Sequence, residues 1–313
     1  MSAGGQVGAV TPLGYVPALD GLRAVAILLV MLFHAEVPFL PGANLGVDIF
    51  FVLSGYLIGR LLLEEYRCYG AINLSRFYRR RLWRLMPPLI VLVSLYALIA
   101  PRIWPDYYFH LRDCFTVLLY LADIALLFGD GPHYMSHAWS LGIEERFYLI
   151  LPVLCLFLMR ASGMAAIWRI LLLLTVLIAV WRLFLVYTAY SGTLYYRFDV
   201  RTGGLLLGVA VAWMPQHLMP DMRRVGALFL PMTILLLMLL ILPDHGQAWR
   251  LAYGLPVVEV LVVLVILYVV QLPGGALSIA LGQSWLVYVG KISYGLYLFH
   301  YPVMQFVKAR AVS

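Results

Sequence analysis

Residues 169-RILLLLTVLIAVWRLFLVYTA-189 decide the class of fold. Crossing the hydrocarbon core of a bilayer, about 30 Å, takes roughly 20 helical residues, and this run supplies them with few ionisable side chains. In lipid every backbone N–H and C=O must be satisfied internally, so such a run is expected to be a helix. The alternation of a lipid-facing barrel strand is absent. Comparable apolar blocks fall near residues 19–38, 46–64, 85–101, 112–128, 141–159, 202–215, 225–242, 253–271 and 285–307. The stretches between them carry Pro, Gly and charge, as in 38-PFLPGANLG-46, 129-GDGPHYMSH-137 and 243-PDHGQAWR-250. The expectation is an all-α, polytopic transmembrane helix bundle of about nine to ten spans. It would form a single domain over residues 1–313, with no inserted soluble unit and no internal repeat.

Composition leads the same way. Hydrophobic residues are 64% and charged residues 12% of the chain, and mean hydropathy is +0.92. A soluble domain has about 45–50% apolar and about 25% charged residues, and the excess here is spread along the chain in blocks. The formal charge of +7 therefore reads as basic cytoplasmic loops against a lipid bilayer, with no nucleic acid as partner. Cys68, Cys114 and Cys155 have neither metal nor disulfide spacing, so no metal is expected. Residues 24–33 imitate a secretory signal, but no small-x-small cleavage site follows, and they are taken as a retained first span.

Lys and Arg set the orientation. The stretch 60–84 holds Arg60, Arg67, Arg76, Arg79, Arg80, Arg81 and Arg84, which assigns it to the cytoplasm with the N-terminus on the same side. Arg160, Arg169, Arg223 and Arg224 mark further basic loops. These assignments conflict if every block is a full crossing. Block 112–128 is then re-entrant, interfacial or a hairpin, or one basic loop breaks the rule.

Ionisable groups inside apolar spans cost about 2.5–3.5 kcal/mol at the bilayer centre and mark functional candidates. Asp20, Arg23 and His34 lie in the first span. Eleven helical steps rise about 16 Å over roughly three whole turns, so Arg23 and His34 share a face, and Asp20 can pair with Arg23. Either Arg23 snorkels and His34 bonds to a neighbouring helix, or His34 handles a proton near neutral pH. Arg80, Arg81 and Arg84 share a helical spacing; they either anchor the chain to anionic headgroups or bind a ligand phosphate through guanidinium forks. In 139-WSLGIEERFY-148, Glu144 lies four residues from both Ser140 and Tyr148, on one face. It belongs either to an interfacial charge patch or to a pair with a basic residue of another helix.

Five motifs in order, 19-LDGLRAVAILLVMLFH-34, 46-GVDIFFVLSGYLI-58, 77-FYRRRLWRLMP-87, 139-WSLGIEERFY-148 and 290-GKISYGLYLFHYP-302, resemble the acyltransferase-3 family of membrane proteins. The resemblance implies transfer of an acyl group from acyl-CoA, acetyl-CoA foremost, to a hydroxyl of a glycan, glycolipid or similar lipid-linked acceptor. It implies His34 as the catalytic residue with Arg23 in the same functional pair, and Glu144 beside them. Arg80, Arg81 and Arg84 would receive acyl-CoA at the cytoplasmic face, and Asp20, Trp139, Ser140 and Tyr148 would wall the substrate site. Tyr294 and His300 fall in the late motif, where a structural role is equally open. The chain stops soon after Pro302, where many relatives continue, so the domain is expected to be C-terminally short. The expected setting is a bacterial inner membrane, with His34 as general base on the acceptor hydroxyl or, second, as carrier of a transient acyl-imidazole. Two rivals differ in class. One is a transporter or flippase relaying protons through Arg23, His34 and Glu144, against which no inverted repeat is evident; the other is a non-catalytic scaffold or sensor.

Overall fold

The computed structural model describes residues 14–104, 106–162, 164–189, 192–226, 235, 238 and 247–312. Every regular element among them is helical. Helix α1 (Pro17–His34) opens with a proline in its first turn, where a missing N–H costs nothing. Helix α2 (Gly46–Tyr69) ends at Gly70, whose φ of 67° is left-handed. Helix α3 (Leu74–Ile99) is capped by the Asn73 side chain, which accepts from the Arg76 N–H at 2.9 Å. The short α4 (Tyr107–Leu118) and α5 (Ala122–Leu127) follow, then α6 (Trp139–Ser162) and α7 (Met164–Thr188). Next come α8 (Phe198–Arg201), α9 (Gly203–Ala212), α10 (Met222–Val225) and α11 (Gln247–Trp249), a π turn (Arg250–Gly254) and α12 (Leu255–Gln271). The last three are α13 (Ala276–Leu281), α14 (Ser284–Lys291) and α15 (Ser293–Val312).

Five described segments are long and apolar enough to cross a bilayer: Pro17–His34, Ala43–Tyr69, Leu74–Arg102, Ala166–Thr188 and Arg250–Gln271. The expected nine to ten spans are not reached among the described residues. Block 112–128 divides into α4 and α5 at Tyr120, which takes a positive φ of 57°, so it is no single crossing. Block 202–215 yields only the ten residues of α9, about 15 Å of helix. Block 285–307 breaks at Ile292 between α14 and α15, and 225–242 lies almost wholly outside the described residues. Helices α6 and α15, 24 and 20 residues long, have the length but carry charge.

The outer faces fit lipid. On α7, Leu173, Val176, Leu177, Val180 and Phe184 are all exposed, and their spacing forms one helical stripe. Leu149, Ile150, Val153 and Phe157 do the same on α6. Faces this apolar would be driven together in water, whereas hydrocarbon covers them without cost.

Inside, helices approach through glycine. A Cβ on Gly55 would lie 2.0 Å from the Leu205 carbonyl oxygen, and one on Gly208 2.1 Å from that of Val52, so α2 and α9 touch backbone to backbone. Helix α14 meets α1 similarly: a Cβ on Gly290 would lie 1.8 Å from the Asp20 carbonyl oxygen. Two buried ion pairs cross the bundle, Arg182 with Glu259 at 3.2 Å and Arg201 with Asp48 at 2.7 Å. The Arg201 guanidinium also lies over the rings of Tyr195, Trp139 and Phe51, at 4.6, 5.2 and 5.5 Å.

Candidate active site

A cavity of about 470 Å³ opens between α1, α2, α3, α6 and the α14–α15 corner. Helical periodicity delivers its walls. Asp20 and Arg23 come from one face of α1, Arg81 and Arg84 from α3, and Ser140, Glu144 and Tyr148 from successive turns of α6. Seven residues singled out by sequence are thus brought together. Arg80, exposed on α3, does not line the cavity, nor does Trp139, which is buried beside Tyr195 and Arg201. His34 does not line it either.

The cavity's charges are unequally satisfied. Arg23 pairs with Asp20 at 3.4 Å. Tyr15 also donates to Asp20, at 2.7 Å, and that bond pushes the phenol up to about 12, keeping it protonated. Arg60 is held by Glu64 at 2.9 Å and by the Tyr56 hydroxyl at 3.1 Å. Arg81 lies 3.3 Å over the Tyr148 ring and pairs at 3.0 Å with Glu145, while Glu144 has no ion-pair partner among the described residues. The difference is one of helical angle. Glu144 points inward, where it bonds with Ser54 and keeps Oε1 buried and unpartnered; its neighbour sits a further 100° round the helix. Arg84 and Lys291, both on the wall, have no ion-pair partner among the described residues. Cations without a carboxylate partner in a recess suit a polyanionic ligand.

Two wall residues, Ser140 and Tyr297, form a hydrogen-bonded pair. The Tyr297 hydroxyl donates to the His137 carbonyl oxygen at 2.8 Å and, its proton thus committed, accepts from Ser140 Oγ at 2.6 Å. Beyond Tyr297 lies a cluster of imidazoles. His34 Nδ1 is 3.0 Å from His300 Nε2 and 3.0 Å from the Val30 carbonyl oxygen. The His137 ring is 5.2 Å from that of His300, and Tyr301 packs against His34 and His137 at 4.8 and 5.1 Å. No His, Cys, Asp and Glu grouping suited to a metal occurs among the described residues.

A family model described as an acyltransferase domain, that of the acyltransferase-3 family, matches residues 16–311. The chain belongs to the acyltransferase-3 family. Among curated relatives it is 31% identical over 312 residues to the O-acetyltransferase OatA of Staphylococcus aureus strain NCTC 8325 / PS 47, and equally to OatA of strain MRSA252. Each match covers 94% of this chain and 51% of the relative, so the chain spans about half the length of the curated relatives it matches. No solved structure matches it.

Sequence reasoning about this acyltransferase-3 chain missed His137, Tyr297, Tyr301 and Lys291. Three of them lie within the late motif 290–302 that carries part of the resemblance, and periodicity there was a usable signal: Tyr297 and Tyr301 stand four apart, as do Ser293 and Tyr297. His137 gave none, since it sits in a polar connection before α6.

Proposed function

We propose that this chain is an integral-membrane O-acyltransferase that takes an acyl group, acetyl foremost, from acyl-CoA and passes it to a hydroxyl of a glycan, glycolipid or similar acceptor. The observation that carries this reading is the succession along α1: a cationic cavity at Arg23, and an imidazole cluster at His34, with Tyr297 on the cavity wall and 5.5 Å from the His300 ring. The catalytic unit is the single helical domain, set in a cytoplasmic membrane with its N-terminus and the arginine cluster on the cytoplasmic side. The acetyl acceptor chemistry borrows from the relatives' name.

Coenzyme A carries a pyrophosphate and a 3′-phosphate. Arg84 and Lys291 have no carboxylate partner to surrender among the described residues, Lys291 only lying 5.4 Å over the Tyr15 ring, and Arg81 and Arg23 add guanidinium forks beside them, so the phosphates settle here. The pantetheine arm then runs inward along Leu57, Phe50 and Val47, which line the same cavity. The thioester reaches His34 when Tyr297 releases Ser140. His34 takes the acceptor hydroxyl proton as the oxygen attacks the thioester carbonyl carbon; the C–S bond breaks, and the leaving thiolate recovers the proton from the imidazolium. Glu144 is a cavity carboxylate poised to position the thioester end of the donor.

The test uses membranes with matched amounts of the native protein and His34→Ala, supplied with radiolabelled acetyl-CoA. Label should enter glycans or lipids with the native protein alone. Equal transfer by both removes His34 from the chemistry, and transfer by neither removes the acyltransferase reading.

A further inference from the structure

The hydrogen bonds of the imidazole cluster assign its protons, and with them the atom that does the work. His300 Nδ1 faces two carbonyl oxygens of its own helix, Tyr297 at 2.8 Å and Leu296 at 3.1 Å. A carbonyl oxygen only accepts, so Nδ1 carries the proton, and in neutral His300 the Nε2 is a bare lone pair. That lone pair points at His34 Nδ1, 3.0 Å away, whose other neighbour is the Val30 carbonyl oxygen, also at 3.0 Å. Two acceptors on one nitrogen leave only one arrangement. His34 Nδ1 is protonated and shared between them, and Nε2 is the free base.

We infer that His300 is a positioning residue for the acyl transfer, holding His34 in the tautomer whose Nε2 faces the reacting hydroxyl and supporting the imidazolium that forms. This rests on the reading of His34 as the base. The Val30 carbonyl alone lies on the same helix as His34, four residues back, and holds the nitrogen from one direction. His300 reaches it from α15, across the sequence, and so fixes the ring plane as well. When Nε2 takes the hydroxyl proton, the bond from Nδ1–H to His300 becomes charge-assisted and shortens in the state where charge has developed. An interaction strengthened only there acts on kcat and leaves donor binding alone. His300 is not on the wall of the donor cavity, so the same separation is expected on geometric grounds. His137 takes no part in this relay of acceptors: its Nε2 donates to the Leu298 carbonyl oxygen at 3.2 Å.

Glutamine and asparagine at position 300 distinguish this role from simple packing. The amide oxygen of Gln reaches about as far as Nε2 and can accept from His34, whereas that of Asn falls one methylene short. Full-length His300→Gln, His300→Asn, His300→Leu and His34→Ala would be compared with the native protein in membranes, varying acetyl-CoA. His300→Gln should stay within a few-fold of native. His300→Asn and His300→Leu should lose roughly ten- to a hundredfold in kcat, the scale on which outer partners of functional histidines act, with KM for acetyl-CoA unchanged. The inference is overturned if all three variants at 300 match the native protein, if Gln is as slow as Asn, or if KM rises in step with the loss. Should the Leu variant fail to accumulate, the Gln and Asn pair still decides. Transfer by His34→Ala would instead unseat the base itself, and is read separately.

Discussion

Arg80, Arg81 and Arg84 are nearly equivalent as letters in a sequence and quite different as groups in the fold. Arg80 is exposed away from the cavity, Arg81 is already committed to Glu145 and Tyr148, and Arg84 has no ion-pair partner among the described residues. A charge-assisted hydrogen bond contributes about 1.5–3 kcal/mol. Steady-state kinetics should therefore show Arg84→Ala raising KM for acetyl-CoA by at least about tenfold while kcat changes little. Arg80→Ala should alter neither, and an equal loss from both would mean that general surface charge, not this cavity, attracts the donor. The helix period made Arg81 and Arg84 legible as a group, as it did Ser140, Glu144 and Tyr148. It could not choose between Glu144 and Glu145 as partner of Arg81, because that depends on how α6 is rotated against α3. The contact of His34 with His300 joins residues far apart in sequence and becomes visible only when α1 and α15 are packed.

Among elements, the crossing of α2 with α9 and the pairing of α7 with α12 hold the bundle around the site. The Gly55-x-x-x-Gly59 and Gly204-x-x-x-Gly208 spacings permit close helix approach, but nothing in the sequence says that the two pairs meet each other. Gly55→Val or Gly208→Val drives a side chain into backbone, with no far end of a flexible group to give way. Overpacking of a tight interior costs typically 1–3 kcal/mol and occasionally more. Detergent-solubilised protein carrying either change should aggregate at lower temperature on size-exclusion chromatography, and an unchanged profile would place the helices further apart than described here. Arg182 and Glu259 were each a charge within an apolar block, and the cost of leaving either unpaired in lipid was the signal that could have matched them. Breaking this buried pair by Glu259→Leu alone should destabilise by about 3–5 kcal/mol, and adding Arg182→Met should recover most of that. The same thermal assay reads both, and a double variant no better than the single would deny the pair.

At the scale of the whole molecule, the apolar blocks made a helical membrane protein legible from composition and length alone, while the count of crossings was not. Hydropathy sees how apolar a block is and misses where the chain bends. Tyr120 breaks one block, Ile292 another, and α9 is only ten residues long and buried against α2. The resulting architecture assigns two tasks to two places. On the function proposed above, donor phosphates are held near Arg84 and Lys291 while chemistry occurs at His34, which does not line that cavity. Affinity for the donor and turnover should therefore come apart. The most direct measurement is the affinity of purified His34→Ala for acetyl-CoA beside its rate of acetyl transfer. Native affinity with no transfer is the predicted result, and loss of affinity along with transfer, or transfer retained, would contradict the account.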